Sequence, residues 1–324
     1  MATNLKTSFA GIELKNPIIA SASPLTMTVE QCVNLEKAGV AAIVVKSIFE
    51  DSVLYNANKL SNAQAHGEEN YYLDGYIGER MLTEWRELLR GVKANCTIPV
   101  IASIAGVKTE TWQRYAKAAV EEGVDGLELN FMNVGLADRN TLFGTIERQF
   151  VEIAATVRKV TKLPIAVKIA SNITTYAKLL DRMAAIGIEG AVLFNRPYPV
   201  DIDVETLSYT SGQPLTSVNN LATPLRWTGL LSAEVPNIDI ALSGGVQNWQ
   251  DVVKAILAGA AAVEVCSTLL HNGIDHVGKM LNGIADWQER HFEESIEAYR
   301  GRMNASKEEY AMQLKRAQHY HFSI

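Results

Sequence analysis

The chain has 324 residues, of which 48% are hydrophobic and 20% charged, a balance typical of a globular protein with a large apolar core. The formal net charge of −6 argues against nucleic acid or an anionic membrane as a partner, because phosphate binding needs a dense basic surface. The N-terminus has no apolar signal segment and no apolar run of about 18 residues follows, so we expect a cytoplasmic protein without a membrane anchor.

Short apolar runs alternate with amphipathic segments along almost the whole chain. In order, the runs are residues 17–21 (PIIAS), 42–47 (AIVVKS), 99–105 (PVIASIA), 126–131 (GLELNF), 164–170 (PIAVKIA), 190–195 (GAVLFN), 238–244 (IDIALSG) and 262–267 (AVEVCS). Each is nearly continuous in apolar residues, as expected of parallel strands that are buried on both faces. The segments between them, such as 109–123, have helical periodicity and often end in glycine.

Eight strand–helix units predict an α/β protein with a single (β/α)₈ TIM barrel that spans residues 1–324. The main alternative is an open Rossmann-type sheet, but no G-x-G-x-x-G motif follows the first strand. Residues 48–78 and 196–221 interrupt the repeat after the second and sixth strands. Barrel enzymes carry their sites on that face, so we expect lids or pocket walls there, the alternative being solvated loops. Helices from about residue 275 are expected to pack outside the barrel.

The last two predicted strands carry the strongest local signal. Gly244 and Gly245 end the seventh strand, and Cys266 and Ser267 end the eighth. Loops at these positions commonly bind phosphate in this fold, because glycines let backbone N–H groups approach the phosphate oxygens and a hydroxyl adds a donor. The alternative is a tight turn that needs glycine only for a positive φ.

Four polar side chains lie at the ends of apolar strands: Lys46, Asn130, Lys168 and Asn195. Lysine is rarely buried without a partner, so both lysines need one. One hypothesis is a flat heterocycle such as a flavin, whose negative charge on reduction a lysine would stabilise. The alternative for each lysine is a carboxylate on a neighbouring strand, such as Glu128.

The histidines and cysteines give weaker signals. His66, His271 and His276 have no partner at metal-ligand spacing, and Cys32, Cys96 and Cys266 form no CxxC pair. We therefore predict no metal site, no iron–sulfur cluster and no disulfide framework. We expect Cys32 to be a small buried apolar side chain.

From about residue 8 to about residue 275 the sequence resembles the FMN-dependent dihydroorotate dehydrogenases, including the related flavin domain of dihydropyrimidine dehydrogenase. The motifs that carry the resemblance are Asn16-Pro17 with ASASP at 20–24, VVKS at 44–47, PVIASIAG at 99–106, LELN at 127–130, PIAVKI at 164–169, LSGGV at 242–246 and VEVCS at 263–267. Their order and their positions on the predicted strands make the combination specific.

The resemblance implies FMN as cofactor and a small-molecule substrate, dihydroorotate or a related cyclic amide. By motif position it implies Ala20, Ser21 and Ala22 near the isoalloxazine ring, Lys46 and Ser47 beside it, Lys168 at its pyrimidine edge, and Gly244, Gly245, Cys266 and Ser267 at the phosphate. Lys46 and Asn130 are the implied catalytic residues, and Asn133, Asn195 and Arg196 are placed near the substrate. Members of this type often form homodimers, which we also expect here.

The chain departs from the family pattern at the end of the fourth predicted strand. Where the family has N-L-S-C-P-N, or serine in place of that cysteine, this sequence has Asn130-Phe131-Met132-Asn133-Val134. The family's proton-accepting thiol or hydroxyl is therefore missing, since phenylalanine and methionine cannot accept a proton. Arg196 also replaces a small hydroxyl residue, and an arginine can pair with a substrate carboxylate.

Three hypotheses remain open. The first is an FMN enzyme that acts on dihydroorotate or a related cyclic amide, with proton transfer by water or by a group such as Tyr71, Tyr72, Tyr76 or Glu79. The second is an FMN enzyme with another substrate, and the third is a flavin-binding protein without this activity. A more distant alternative, a tRNA-dihydrouridine synthase, would need a basic surface and a catalytic cysteine near the third strand; the acidic net charge and the cysteine-free segment PVIASIAGVKTE at 99–110 speak against it.

Overall fold

The computed structural model of the chain describes residues 4–50, 68–132, 142, 144–197 and 199–316, with side chains except those of residues 68–76. Its strands are β1 (Thr7–Phe9), β2 (Ile12–Leu14), β3 (Ile18–Ala20), β4 (Ala42–Phe49), β5 (Val100–Ala105), β6 (Gly126–Phe131), β7 (Ile165–Ala170), β8 (Gly190–Asn195), β9 (Val200–Asp203), β10 (Ser208–Ser211), β11 (Asp239–Ser243) and β12 (Ala262–Val265). Eight of them pair in parallel as a closed barrel in the order β3-β4-β5-β6-β7-β8-β11-β12. The predicted TIM barrel is confirmed, and each of its strands falls on one of the predicted apolar runs.

Helices surround the barrel. They are α1 (Val29–Ala38), α2 (Glu68–Asn95), α3 (Thr109–Glu121), α4 (Thr145–Arg158), α5 (Tyr176–Ala185), α6 (Ala222–Glu234), α7 (Trp249–Leu257), α8 (Ser267–Asn272), α9 (His276–His291), α10 (Ile296–Tyr299) and α11 (Glu308–Lys315). Local sequence sets several of their ends. Thr28 and Gln31 form a capping box at the start of α1, and Gly39 ends it with a φ of 110°.

The antiparallel β1–β2 hairpin closes the N-terminal end of the barrel. Phe9, Ile12 and Leu14 of this hairpin pack against apolar residues of the barrel strands, among them Ile19 and Ile101. Gly190, at the start of β8, allows this close approach, because a Cβ there would lie 2.9 Å from the ring of Phe9. The interior of this closed end is apolar.

The stretches outside the repeat are partly regular. Residues 68–78 belong to the 28-residue helix α2, which the expectation of an irregular lid over 48–78 had missed, and residues 51–67 lie outside the described part. After β8, residues 200–211 contain the β9–β10 hairpin, which presents Val200, Ile202, Leu207 and Tyr209 to solvent. Among the helices of the described residues, none is long and apolar enough to cross a membrane.

Candidate active site

A cleft opens at the C-terminal ends of the strands, where enzymes of this fold carry their small-molecule sites. The predicted site residues that line it are Ser21, Ala22, Lys168, Asn195, Arg196, Gly244, Gly245, Cys266 and Ser267. Lys46 and Ser47 line a neighbouring cavity instead. Ala20 is buried in the core. Asn133 lies outside the described residues.

The loop after β11 and the start of α8 form one side of the cleft. Gly244 and Gly245 both have positive φ, +98° and +81°. A Cβ on Gly244 would meet nothing within 4 Å, whereas one on Gly245 would lie 2.2 Å from the backbone nitrogen of Leu221. At position 245 only glycine fits beside the start of α6. At position 244 a side chain would extend into open space.

Ser267 joins this side of the cleft to the loop before α6. Its Oγ accepts a hydrogen bond from the backbone N–H of Thr216 at 3.0 Å. With that acceptor position used, the hydroxyl hydrogen remains available as a donor. Thr216 itself also lines the cleft.

Lys168 of β7 lies inside the barrel and forms the floor of the cleft. Its Nζ is 2.6 Å from Oε2 of Glu264 on β12 and donates to Oγ of Ser21 at 2.8 Å. Ser21 in turn donates to the same Glu264 oxygen at 3.0 Å. Burial alone would lower the pKa of Lys168, but the charges of Glu128 and Glu264 outweigh it and raise the pKa, so the side chain is an ammonium ion.

Glu128 of β6 is the second carboxyl group near this lysine, with Oε2 3.7 Å from Lys168 Nζ. Its Oε1 accepts from Ser103 at 2.9 Å, and Ser103 bonds Ser47 at 2.8 Å. Burial and the charge of Glu264 raise the pKa of Glu128 to about 8, with the Lys168 charge opposing them. Glu128 is therefore the carboxyl group that favours the protonated form, and Glu264, with Oε2 2.6 Å from Nζ, is the close partner of Lys168.

Lys46 stands at a β-bulge. Its strand β4 pairs with β5 at Val45 and again at Ile48, with a register shift between them that re-aims Lys46 and Ser47. The ammonium lies 5.3 Å from the centre of the Phe49 ring. Burial lowers the pKa of Lys46, and the charge of Lys168 lowers it further while Cys266 opposes the shift. The charges of the two predicted lysines thus interact in this part of the barrel.

Two asparagines meet at the mouth of the barrel. Nδ2 of Asn195, at the end of β8, donates to Oδ1 of Asn130, at the end of β6, at 2.6 Å. Oδ1 of Asn195 accepts from the backbone N–H of Arg196 at 2.8 Å, and Arg196 is half-buried on the rim of the cleft. The remaining amide hydrogens and the Arg196 guanidinium supply donors to this end of the cleft.

The segment that replaces the family's base contributes no proton acceptor where it is described. Phe131 is buried on the outside of the barrel and stacks on Phe150 with ring centres 4.4 Å apart. Glu79, a candidate base, instead forms an exposed ion pair with Arg114 of α3. The side chains of Tyr71, Tyr72 and Tyr76 lie outside the described part.

Sequence reasoning missed Glu264 as the partner of Lys168 and named only Glu128 as an example. The signal was present in AVEVCS, where Glu264 is a lone carboxylate in an apolar strand. The two residues are 96 positions apart, so only barrel closure brings them together. Cys32 is buried, as expected, and His276 bonds the backbone oxygen of Gln247 through Nε2 at 2.9 Å.

The fold and the cleft define a TIM-barrel enzyme with a small-molecule site at the C-terminal face of its strands. The chain matches the family model described as dihydroorotate dehydrogenase over residues 4–287, and it belongs to this family. It is therefore an FMN-dependent oxidoreductase that acts on CH–CH bonds.

Curated relatives carry the description dihydroorotate dehydrogenase B (NAD(+)), catalytic subunit. The protein from Methanocaldococcus jannaschii is 24% identical, over 86% of this chain and 92% of its own. That from Methanosarcina acetivorans is 27% identical, over 87% of this chain and 91% of its own. That from Desulforudis audaxviator is 28% identical, over 84% and 89%. The similarity thus covers nearly the whole of each relative.

Proposed function

We propose that the chain binds FMN in the cleft above Lys168 and oxidises dihydroorotate or a closely related cyclic amide. FMN, when bound, supplies the N5 atom that accepts the hydride. The observation that carries the proposal is that two different sets of hydrogen-bond donors line the same cleft. Gly244 and Ser267 line one side, and Lys168 and Asn195 line the other.

The residues on the first side fit a phosphate. Gly244 leaves open space where any other residue would place a Cβ, and Ser267 keeps a hydroxyl hydrogen to donate. Cys266 fits through its backbone, because its thiol is mostly buried and burial raises the pKa of that thiol. The glycine turn, the hydroxyl and the helix start then act together on the phosphate.

The residues on the second side fit the polar edge of a flavin. Lys168 is an ammonium ion held rigidly by Glu264 and Ser21, so it presents a fixed positive charge to the cleft. Lys46 of β4 lines the neighbouring cavity, close enough to Lys168 for the two charges to interact. Fixed charges of this kind stabilise negative charge that develops in their neighbourhood without reorganisation.

We assign the substrate to the space next to Asn130 and Asn195. Their mutual hydrogen bond fixes both amides, and a cyclic amide offers matching acceptors and donors. Arg196 on the rim is suited to pair with a carboxylate such as that of dihydroorotate. Asn133 is assigned to the same group by its place in the sequence, outside the described residues.

The proton that leaves the substrate needs an acceptor other than Phe131 and Met132. We propose that water, or a group from residues outside the described part, accepts it. A water that accepts the proton gains positive, hydronium-like character, which a hydrogen-bond acceptor such as the amide oxygen of Asn130 would stabilise.

An anaerobic titration of the purified yellow protein with dihydroorotate tests the proposal. Prompt loss of the long-wavelength flavin absorbance is expected. If the colour persists while dithionite still bleaches it, the flavin is competent and dihydroorotate is not the substrate. An FMN-free protein that fails to bind added FMN would overturn the cofactor site as well.

The electron acceptor and the assembly are also proposals. The relatives are named as catalytic subunits and their names include NAD⁺, which supports a partner subunit for this chain as well, beside the homodimer that the family resemblance implies. Native mass spectrometry of the purified chain tests the homodimer. Reoxidation of the bleached protein by NAD⁺ alone would show that this chain passes electrons on without a partner.

A further inference from the structure

The floor of the cleft contains two carboxyl groups and one ammonium group with almost no access to solvent. Lys168, Glu128 and Glu264 are exposed by 4%, 1% and 3%. If both carboxyl groups were ionised, this dry cluster would carry a net charge of −1. A buried uncompensated charge is costly, so the cluster favours the state that holds one additional proton.

The hydrogen bonds show where that proton belongs. Oε2 of Glu264 accepts from both Lys168 and Ser21, which is the environment of a carboxylate. Oε2 of Glu128 is buried and has no hydrogen-bond partner as a carboxylate oxygen. A proton on this oxygen turns it into a donor towards Glu264, whose proximity contributes to the raised pKa of Glu128.

The charged and titratable groups that act on Glu128 come from strands on both sides of the barrel. Lys168 on β7 lowers its pKa, Glu264 on β12 raises it, and Ser103 on β5 donates a hydrogen bond that lowers it. Two further groups interact electrostatically with Lys168: Lys46 on β4 and Cys266, which directly follows β12. The cluster is therefore a connected electrostatic unit directly below the cleft.

We propose that Glu128 and Glu264 form a proton-binding pair that is coupled through Lys168 to the redox state of the flavin. The inference rests on the proposed placement of FMN above Lys168. Two-electron reduction adds negative charge at the cleft and takes one proton at the flavin. Where the pair has lost its shared proton, the added charge draws one more proton from solvent onto a carboxylate oxygen of the pair, so the floor becomes neutral again. Lys168 stays protonated throughout, and the two carboxyl groups beneath it then carry one negative charge rather than two.

Glu128 and Glu264 are positioning residues in this scheme, because they act on the flavin through Lys168. The direct test is the midpoint potential of the bound flavin as a function of pH, measured with redox dyes. Each proton taken up per two electrons gives a slope of about 30 mV per pH unit. Above the pKa of the pair in the oxidised protein, the wild-type protein is expected to show the slope for two protons, since reduction returns the proton that the pair has lost.

Glu128→Gln resembles the protonated glutamic acid in shape and keeps the Lys168–Glu264 pair. It is expected to show the slope for one proton over the same range. Glu264→Gln should do the same, because Glu128 then becomes the sole counterion of Lys168 and its pKa falls. Glu122→Gln is the matched control, since Glu122 is a buried carboxylate paired with Arg86 and Arg90 on the outer helices. It should keep the wild-type slope.

Equal slopes in the wild-type protein and Glu128→Gln would overturn the proposal. A separate FMN titration with Ser267→Ala distinguishes this failure from a wrong flavin site. If Ser267→Ala binds FMN several-fold more weakly and the slopes are still equal, the flavin site stands and the proton pair is wrong. If Ser267→Ala binds FMN as the wild-type protein does, the placement of FMN in this cleft is wrong.

Discussion

Lys168 and Glu264 face each other across the inside of the barrel with 2.6 Å between the ammonium nitrogen and the carboxylate oxygen. Both are almost completely buried, and they come from β7 and β12, which are not neighbours in the barrel. The ion pair therefore links two sides of the barrel directly below the cleft. Its contribution to the fold depends on the pair being complete, because each charge alone would be buried without compensation.

Removal of one partner is expected to be far more harmful than removal of both. Lys168→Met should lower the free energy of unfolding by about 3–5 kcal/mol at neutral pH, since it leaves Glu264 unpaired in the barrel. The double variant Lys168→Met/Glu264→Gln should recover at least half of that loss. Urea denaturation of the four proteins in this cycle measures the coupling. Additive losses would contradict a paired arrangement.

The stability of the protein should fall as pH rises from about 5 to about 8. The pKa of Glu128 is raised in the folded state to about 8, well above the ordinary range of a glutamate, so the folded protein binds this proton more tightly than the unfolded chain does. Its stabilising effect is complete below the unfolded pKa and is lost as pH rises through the folded pKa. The largest possible slope from this one group is about 1.4 kcal/mol per pH unit.

Glu128→Gln should remove this pH dependence of stability. The difference in free energy of unfolding between Glu128→Gln and the wild-type protein should therefore change steadily over the same pH range. Glu122→Gln provides the contrast, because pairing with Arg86 and Arg90 lowers the pKa of Glu122 despite partial burial. The difference in free energy of unfolding between Glu122→Gln and the wild-type protein should be constant above about pH 5. Unfolding curves of the apoprotein at several pH values measure both. If the free energies of unfolding of Glu128→Gln and the wild-type protein differ by the same amount at every pH, the pKa of Glu128 is not raised.

The two glycines after β11 should respond differently to the same substitution. Gly244→Ala introduces strain from the positive φ but meets no atom, so we expect a loss of about 1–3 kcal/mol. Gly245→Ala adds a clash with the backbone of Leu221 and should cost clearly more, or prevent folding. Thermal unfolding compares the two. Equal losses would mean that the approach of Leu221 is readily relaxed.

Gly244→Ala also tests the cleft itself, since its methyl group would occupy space assigned to the phosphate. FMN affinity should fall by about tenfold, the equivalent of one hydrogen bond to a charged group. Fluorescence titration of apoprotein with FMN measures the change. Unaltered affinity in a folded Gly244→Ala protein would argue for a phosphate site elsewhere.

Arg196 should govern recognition of a substrate carboxylate. Arg196→Ala is expected to raise KM for dihydroorotate by about tenfold or more with little change in kcat, as for a charged contact made equally in the bound substrate and the transition state. Arg226→Ala, an exposed arginine on α6, is the control and should leave both constants unchanged. Steady-state kinetics with an artificial electron acceptor measures them. A drop in kcat at constant KM would place Arg196 in the chemical step instead.

Much of the fold was predictable because barrel strands that are buried on both faces have a distinctive composition. All eight barrel strands lie on the predicted apolar runs, and β6 and β8 have the predicted bounds. The helix over residues 68–78 was missed because its polar and aromatic residues lack clear periodicity. Its stability comes from the later turns, where Trp85 and Leu89 are buried in the core.

The site was predictable to the extent that polar residues in apolar strands are conspicuous. Lys168 and Asn195 line the cleft, as their positions at strand ends suggested. The separation of roles between Gly244 and Gly245 was not predictable, because it depends on the distance from Gly245 to Leu221, in another part of the chain. The place of Lys46 in a neighbouring cavity follows from a bulge in β4 that no sequence pattern marked.

The sequence by itself determined the barrel, the resemblance to a flavin-dependent family and the absence of the family's cysteine or serine from the segment after Asn130. These properties follow from local composition and the order of motifs along the chain. Only the tertiary structure decided that Lys168 pairs with Glu264, that Glu128 is left with an unpaired oxygen, and that Phe131 packs on Phe150 outside the barrel. The physical reason is that partners of buried polar groups are chosen by distance in space, and barrel closure brings together side chains that lie far apart in the sequence.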